Sequence, residues 1–263
     1  MKFSHSIYAL ALASSAIAAP AIAQDAASPA TQEAPDTAPE APASDFTISG
    51  GATLVSDYRF RGISQTNKRP AVQGTFGITH ASGFYASIWG SSIDDYVASG
   101  ADQEIDLIAG YKTTVGGTTF DVGATYYVYP DGCCGVDTDF IEPYVAVTHS
   151  FGGVSAKVLA AYAPKQSALS IGSGDEDNFY LAGDLSGTIP TTGIAVTGHL
   201  GHSFGPSYLT IGKGYTDWSI GASYAVKNLS FGLAYVDTNK SLFAPSGRNI
   251  AKAGVVASVG VAF

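Results

Sequence analysis

Apolar and polar side chains alternate along the chain from Phe46 to Phe60. One set of alternate positions contains residues such as Ile48, Ala52 and Leu54, and the positions between them are mostly polar or small. A period of two is the repeat of a β-strand, in which successive side chains point to opposite faces. A strand that separates lipid from water needs this division, so the stretch predicts a membrane-facing strand.

The same alternation recurs along the rest of the chain, and turn-forming residues separate the segments. We predict about twelve strands, over residues 46–60, 70–80, 84–92, 104–112, 118–129, 139–148, 154–162, 178–187, 194–202, 215–224, 229–237 and 250–263. Brief turns follow the even-numbered strands, and longer segments rich in Gly, Asp, Ser and Asn follow the odd-numbered ones. This pattern is typical of an all-β, closed antiparallel transmembrane β-barrel with short periplasmic turns and longer extracellular loops.

Two other architectures are less consistent with the pattern. A transmembrane helix over 185–212 is excluded because that stretch alternates and contains Pro190 and Pro206. A soluble β-sandwich also alternates, but aromatic residues here cluster at both ends of the predicted strands, as at the two interfaces of a membrane. The set toward the long loops is Phe60, Trp89, Tyr126, Phe140, Tyr162, Trp218 and Tyr235, and the set toward the short turns is Phe84, Tyr111, Phe120, Tyr224, Phe231 and Phe263.

The last predicted strand ends on Phe263, the final residue. Its apolar face, from Ala253 to Val261, leads to this terminal aromatic ring, and such an ending resembles the signal that the barrel assembly machinery recognises. An open sheet edge in hydrocarbon leaves backbone amides unpaired, so the last strand must also close onto the first.

The amino-terminal region predicts export. Residues 1–23 have one lysine, an apolar stretch and a small residue on either side of Ile22, as in a signal peptide. Residues 24–44 are rich in Ala, Pro and acids and predict a disordered spacer, which leaves 45–263 as the barrel. We therefore expect a protein of the cell outer membrane, in contact with its lipids.

The charge content fits this division. Only 13% of the 263 residues are charged, against 46% that are hydrophobic, and the net charge is −9. An acidic chain lacks the basic face that nucleic-acid binding needs, so no nucleic-acid role is expected.

The charges on the predicted strands fall on the face opposite the apolar one, which would line the lumen. The candidate pore-lining residues are Asp57, Arg59, Arg61, Glu104, Asp106, Asp121, Glu142, Lys157, Asp184, Asp217 and Lys252. They predict a polar, water-filled conduit; the alternative is a salt-bridged interior without a useful bore, because twelve strands lie between filled and open barrels.

The loops divide by sign. Basic residues predominate in the predicted first, fifth and sixth loops, and acidic residues in the second, third and fourth. Closure makes each group contiguous, so we hypothesise a transverse field across the mouth that favours small polar or zwitterionic solutes. Solvated loops with a chance distribution of charge are the alternative.

Cys133 and Cys134 are adjacent in a predicted loop. A vicinal disulfide, two free thiols and a soft-metal site are all open, and we favour the disulfide because the compartment is oxidising. Two thiolates without a nearby histidine do not favour zinc, so neither a metal nor a cofactor is expected.

Two short motifs resemble hydrolase signatures. Residues 201–205 spell Gly-x-Ser-x-Gly, but that chemistry needs a strand-to-helix turn, and Pro206 follows instead. His80 and Ser82 have the spacing of an outer-membrane lipid hydrolase, but they fall at a predicted periplasmic turn, far from the outer leaflet. We expect no enzymatic activity.

Several segments together resemble a known family. The run from Ser56 to Thr66, with Pro70–Gly74, Ser82–Tyr85, Glu104–Leu107 and the pair Gly110–Tyr111, looks like the TorF family of porins, also known as the Gcw_chp family. The resemblance implies an outer-membrane protein of Gram-negative bacteria and says little about its substrate. The adjacent cysteines depart from the polar loop expected in the family.

The sequence thus favours a porin-like channel for passive diffusion of small polar solutes. The alternative is a non-conducting structural or surface-interaction barrel, with an outer-membrane lipid hydrolase a more distant third. The oligomeric state is left open by the sequence.

Overall fold

A computed structural model describes residues 44–172 and 174–263. The predicted signal peptide, and the predicted spacer apart from Ser44, lie outside the described residues. The elements are β1 (Phe46–Val55), β2 (Arg59–Phe60), β3 (Ile63–Ser64), β4 (Ala71–His80), β5 (Phe84–Ser92), β6 (Gln103–Val115), β7 (Thr118–Val128), β8 (Phe140–Phe151), β9 (Val154–Ile171), β10 (Gly174–Thr188), β11 (Ile194–Phe204), a 3₁₀ helix (Tyr208–Thr210), β12 (Tyr215–Val226), β13 (Leu229–Thr238) and β14 (Gly254–Ala262). No helix in these described residues is long and apolar enough to cross a membrane.

Twelve of the strands form one closed antiparallel barrel. The order is β1, then β4 through β13 in sequence, then β14, which pairs back onto β1. The predicted twelve-stranded closed barrel is confirmed, and each predicted wall strand overlaps an observed one. The two remaining strands, β2 and β3, pair only with each other.

The outer surface of the barrel is apolar. Val72, Ile48 and Ile220 are 64%, 61% and 61% exposed. Along β8, buried and exposed residues alternate strictly from Phe140 to Val147, with the charged and aromatic side chains turned inward. A surface of this kind is stable in hydrocarbon and would be unfavourable in water, so the twelve strands form a transmembrane barrel.

The two ends of the barrel differ. Turns of two to five residues join β4 to β5, β6 to β7, β8 to β9, β10 to β11 and β12 to β13, and we call this the short-turn end. The opposite, long-loop end carries the connections that follow β1, β5, β7, β11 and β13. Short and long connections therefore alternate as predicted, with one exception.

The exception is the predicted fourth long loop, which is mostly strand. β9 and β10 continue beyond the barrel wall and remain paired as far as Ile171 and Gly174. The Gln166 side chain supports this extension, because its amide bonds to both the backbone N–H and the carbonyl of Ile141 on β8, at 2.8 and 3.0 Å. The polar composition suggested a loop, whereas pairing between the two extended strands satisfies its backbone groups.

The first predicted strand was too long. β1 ends at Val55, and the chain then leaves the wall and folds into the barrel as the β2–β3 hairpin. Arg61 and Gly62 make the turn, with φ of 47° and 79°. The alternation that continues to Phe60 therefore belongs to a different strand, which lies inside the barrel.

The carboxyl-terminal seam is closed by backbone bonds. The Gly50 N–H donates to the Phe263 carbonyl, and the Phe263 N–H donates to the Gly50 carbonyl, both at 2.9 Å. A Cβ at Gly50 would lie 2.7 Å from Cζ of Phe263, so the glycine makes room for that ring. The Phe263 ring remains 76% exposed.

The aromatic girdles are only partly as predicted. Phe84, Phe120 and Phe231 at the short-turn end are exposed on the outer surface, as are Tyr126 and Tyr162 toward the long loops. Three members of the long-loop set are wrong: Trp89 and Phe140 are buried inside the barrel and Phe60 lies on the hairpin. Their strand parity places Trp89 and Phe140 on the lumen face, because parity and not closeness to a strand end decides which face a side chain occupies.

Candidate functional site

The β2–β3 hairpin, residues 57–66, fills the centre of the barrel toward the long-loop end. Asp57 organises it, because its carboxylate accepts bonds from Nε of Arg59 at 2.8 Å, from the Ser64 hydroxyl at 2.5 Å and from the Thr66 hydroxyl at 3.3 Å. Asp57, Arg59 and Ser64 are all buried. The sequence folds here because one carboxylate satisfies donors from both arms of the hairpin.

Gly62 at the tip lies against the barrel wall. A Cβ at this position would approach Cγ2 of Thr238 to 2.4 Å. The backbone also has a positive φ, which favours glycine. The tip therefore requires glycine for both its conformation and its space.

Arg61 anchors the hairpin to the wall. Its guanidinium donates to both carboxylate oxygens of Glu142 at 2.6 and 2.7 Å and to the Asn178 side-chain oxygen at 2.9 Å. It also lies over the rings of Phe60 and Tyr180, at 4.7 and 4.1 Å. Arg61 is only 3% exposed, and removing one partner of such a buried pair costs about 3–5 kcal/mol. We therefore regard Arg61 as the main attachment of the hairpin.

Tyr58 forms a second attachment. Its hydroxyl donates to Oε1 of Glu104 at 2.6 Å, and its ring packs against Trp89 with centroids 5.3 Å apart. Tyr58 and Glu104 are each 2% exposed. Tyr58 and Arg61 thus attach the hairpin to β5, β6, β8 and β10, and Gly62 lies against β13.

Because of these contacts, most of the predicted pore-lining residues near the hairpin are buried. The predicted pore-lining residues Asp57, Arg59, Arg61, Glu104, Asp106, Glu142 and Asp217 are all buried, with 7% exposure or less. Asp57, Arg59 and Arg61 belong to the hairpin instead of a wall strand. Two of the ion pairs in this half of the lumen, Asp57–Arg59 and Arg61–Glu142, are buried.

The short-turn half of the lumen is different. Lys112 pairs with Asp121 at 3.2 Å, and the side chain of Lys112 is 22% exposed. His199 contacts Asp184 at 2.6 Å and Asp217 at 3.0 Å, and the Asp184 side chain is 36% exposed. Lys157, another predicted pore-lining residue, is partly exposed on β9. This half is therefore charged, polar and partly accessible to water.

Lys252 is not on the lumen wall, contrary to prediction. It is exposed in the connection before β14, because that strand begins only at Gly254. Its backbone carbonyl accepts from Arg59 and from Nζ of Lys68, both at 3.0 Å. The residue thus positions the hairpin through its main chain.

Basic residues gather at the mouth where the connections before β4 and β14 meet. Lys68 lies near Arg248 and Lys252, and the Arg248 guanidinium contacts the Asn67 carbonyl. Partial burial, together with the positive charge of Arg59, lowers the pKa of Lys68. Elsewhere an ion pair between Arg69 and Asp94 joins a basic loop to an acidic one.

Several residues of the lumen were missed by the sequence reasoning. Lys112 shares the parity of the predicted lumen residues Glu104 and Asp106 on β6, so alternation could have found it. Asn178 likewise has the parity of Asp184 on β10. His199 lies on β11, where no lumen residue was predicted. The inward fold of Tyr58 has no local signal, because it depends on contacts with distant strands.

Cys133 and Cys134 lie at a loop tip, joined as a disulfide between adjacent residues. The Cys133 N–H donates to the Ser99 carbonyl at 2.7 Å, so the tip rests on the neighbouring connection between β5 and β6. No group of three or more His, Cys, Asp or Glu side chains converges as metal ligands in the residues that the structure describes.

The two hydrolase-like motifs fall at separate places. Ser203 is completely buried within β11, and the His202 ring contacts the Thr216 hydroxyl at 2.8 Å. His80 and the Ser82 hydroxyl are 2.7 Å apart, at the turn between β4 and β5 on the short-turn end. The first location lacks the strand-to-helix turn of a hydrolase nucleophile, and the second lies at the opposite end of the barrel from the long loops.

A family model described as a bacterial protein of unknown function, Gcw_chp, matches residues 39–263. The chain belongs to the Gcw_chp family. The resemblance drawn from the sequence is thereby confirmed for this family, and the match includes the hairpin as well as all twelve wall strands. No curated protein matches the chain.

Solved structures similar to this Gcw_chp chain have low sequence identity. One, from a study of in-meso crystallization of membrane proteins, has a TM-score of 0.52 and 9% identity, over 82% of this chain and 83% of that one. An outer membrane channel from Pseudomonas putida F1 has a TM-score of 0.47 and 13% identity, over 88% and 99% of the two chains. An anion-selective porin from Comamonas acidovorans has a TM-score of 0.43 and 11% identity, over 83% and 99%. At such identities the similarity concerns the fold alone.

Proposed function

We propose that this protein is a porin-like channel of the cell outer membrane that passes small polar solutes by passive diffusion. The observation that carries the proposal is the charged, partly exposed wall of the short-turn half, with Lys112, Lys157, Asp184 and His199. A barrel with a polar inner wall and an apolar outer wall can hold water within a membrane. The hairpin is then the constriction of this channel.

The remaining parts of the proposal concern location and partners. Residues 1–23 act as the export signal, Phe263 is read by the barrel assembly machinery, and the long loops face outward. Outer-membrane lipids surround the apolar surface. The proposal includes no enzymatic activity, because Ser203 is buried within β11 and the His80–Ser82 pair lies at the short-turn end, away from the long loops.

A second candidate function is a non-conducting barrel that serves as a structural or surface-interaction element. The specific observation in its favour is the buried hairpin, with Arg61 at 3% exposure in a bidentate pair with Glu142. In this case the long loops would be the working parts of the molecule.

Conductance in planar bilayers tests the two candidates. We expect small, stable ohmic steps from the purified protein and larger steps from an Arg61→Gln variant, because loss of the bidentate pair frees the hairpin from Glu142. The matched control is Arg69→Gln, which removes an arginine whose side chain is 65% exposed and should leave the steps unchanged. Silence from both the wild type and Arg61→Gln would contradict the channel and favour the second candidate.

A further inference from the structure

Two carboxylates in the hairpin-filled half of the lumen lack a positive partner. Glu104 and Asp106 point inward from β6, two residues apart, with exposures of 2% and 1%. Arg59 is paired with Asp57 and Arg61 with Glu142. Among the described residues, no lysine, arginine or histidine forms an ion pair with either Glu104 or Asp106.

The carboxylates of Glu104 and Asp106 differ in their hydrogen bonds. Glu104 accepts from the Tyr58 hydroxyl. Oδ1 of Asp106 is buried and has no hydrogen-bond partner in the described part of the chain. The register places Asp106 between Trp89 on β5 and Tyr127 on β7, and the Tyr127 hydroxyl is directed to Glu142 at 3.4 Å.

The arrangement is electrostatically unfavourable on its own. A buried carboxylate loses its hydration, and a second carboxylate on the same face of the same strand adds repulsion. A cation placed between the two groups would offset both effects. Carboxylate and hydroxyl oxygens are the ligands that hard cations prefer in proteins.

The charge of the cation follows from the neighbours. Glu142, the next carboxylate, is already committed to Arg61, and no three acidic, histidine or cysteine side chains converge in the described residues. Mg²⁺ dehydrates reluctantly and keeps several waters, and Ca²⁺ takes about six to eight oxygen ligands, which this buried pair of carboxylates does not provide. We propose that Glu104 and Asp106 bind a monovalent inorganic cation, such as Na⁺ or K⁺, beneath the hairpin.

This site does not require that the barrel conducts, because a bound cation would stabilise the folded barrel in either case. A ligand that binds only the folded state raises the unfolding temperature. The full-length purified protein is therefore unfolded in NaCl, KCl and choline chloride at equal ionic strength, since choline is too large to replace a bare alkali ion between two carboxylates.

We expect the apparent Tm of the wild type to be higher by about 2–4 °C in NaCl or KCl than in choline chloride. The difference should disappear in Asp106→Asn. The matched control, Asp131→Asn, removes the same charge from an exposed loop position and should retain the difference. Equal Tm values for the wild type in all three salts, or an undiminished difference in Asp106→Asn, would overturn the proposal.

A measurement on the unmodified protein covers the case in which Asp106→Asn does not fold. The ²³Na NMR line of a NaCl solution should broaden when the wild-type protein is added and narrow again when KCl displaces the bound ion. An unchanged line width would overturn the proposal. The proposal would also be overturned if the Tm depended on pH but not on which cation is present. The compensating charge would then be a proton.

Discussion

The tip of the hairpin depends on a single residue type at position 62. Gly62 combines a φ of 79° with an approach of 2.4 Å between a hypothetical Cβ and Thr238. We expect Gly62→Ala to lower the free energy of unfolding by about 3 kcal/mol, as the sum of left-handed strain and overpacking. Urea unfolding followed by tyrosine and tryptophan fluorescence measures this change.

Gly247 provides a matched control for this prediction. Its φ is also 79°, but no atom lies within 4 Å of a hypothetical Cβ. Gly247→Ala should therefore cost only the backbone strain, about 1–2 kcal/mol. Equal losses in the two variants would show that the contact with Thr238 contributes nothing.

At the scale of elements, the closing strand pair is the critical one. The Phe263 ring lies over Gly50 at the seam between β14 and β1. We expect Phe263→Ala to reduce the amount of folded barrel in the outer membrane, because it removes the terminal ring that we propose the assembly machinery reads. Heat-modifiable mobility of the outer-membrane fraction on SDS gels measures the folded fraction.

The control for this second prediction is Phe243→Ala. Phe243 is an aromatic residue with 65% exposure in the connection before β14, at the opposite end of β14 from Phe263. The Phe243→Ala variant should assemble as well as the wild type. If the Phe263→Ala barrel reaches the same folded level as Phe243→Ala, the terminal ring is not part of the signal.

The elements also show what the sequence could predict. The wall strands followed from alternation, because lipid on one side and water or protein on the other impose a period of two on each strand. The hairpin did not follow, because the same alternation continues through Tyr58 and Phe60 while the chain changes direction. Its inward fold depends on Arg61 meeting Glu142, 81 residues away, and no local pattern encodes such a pair.

At the scale of the whole molecule, charge is distributed unevenly around the mouth. Lys68 and its basic neighbours lie over the seam between β1 and β14, whereas β9 and β10 extend from the opposite side of the barrel. We expect Lys68→Gln to shift the reversal potential in a KCl gradient toward cation selectivity, because it removes positive charge beside the hairpin.

Lys165→Gln is the control for this shift. Lys165 is an exposed lysine on the β9 extension, so the variant removes the same charge from the far side of the mouth. A transverse field predicts that the two variants differ in their reversal potentials. Identical potentials would favour loops whose charges are distributed by chance.

The position of the hairpin in the chain has a consequence for biogenesis. Arg61 is synthesised 81 residues before Glu142 and 117 residues before Asn178, the groups that hold it. The carbonyl that receives Arg59 comes 193 residues later, at Lys252. The hairpin thus acquires its partners only as later parts of the chain are made, and the last of those named here, the Lys252 carbonyl, immediately precedes the closing strand β14.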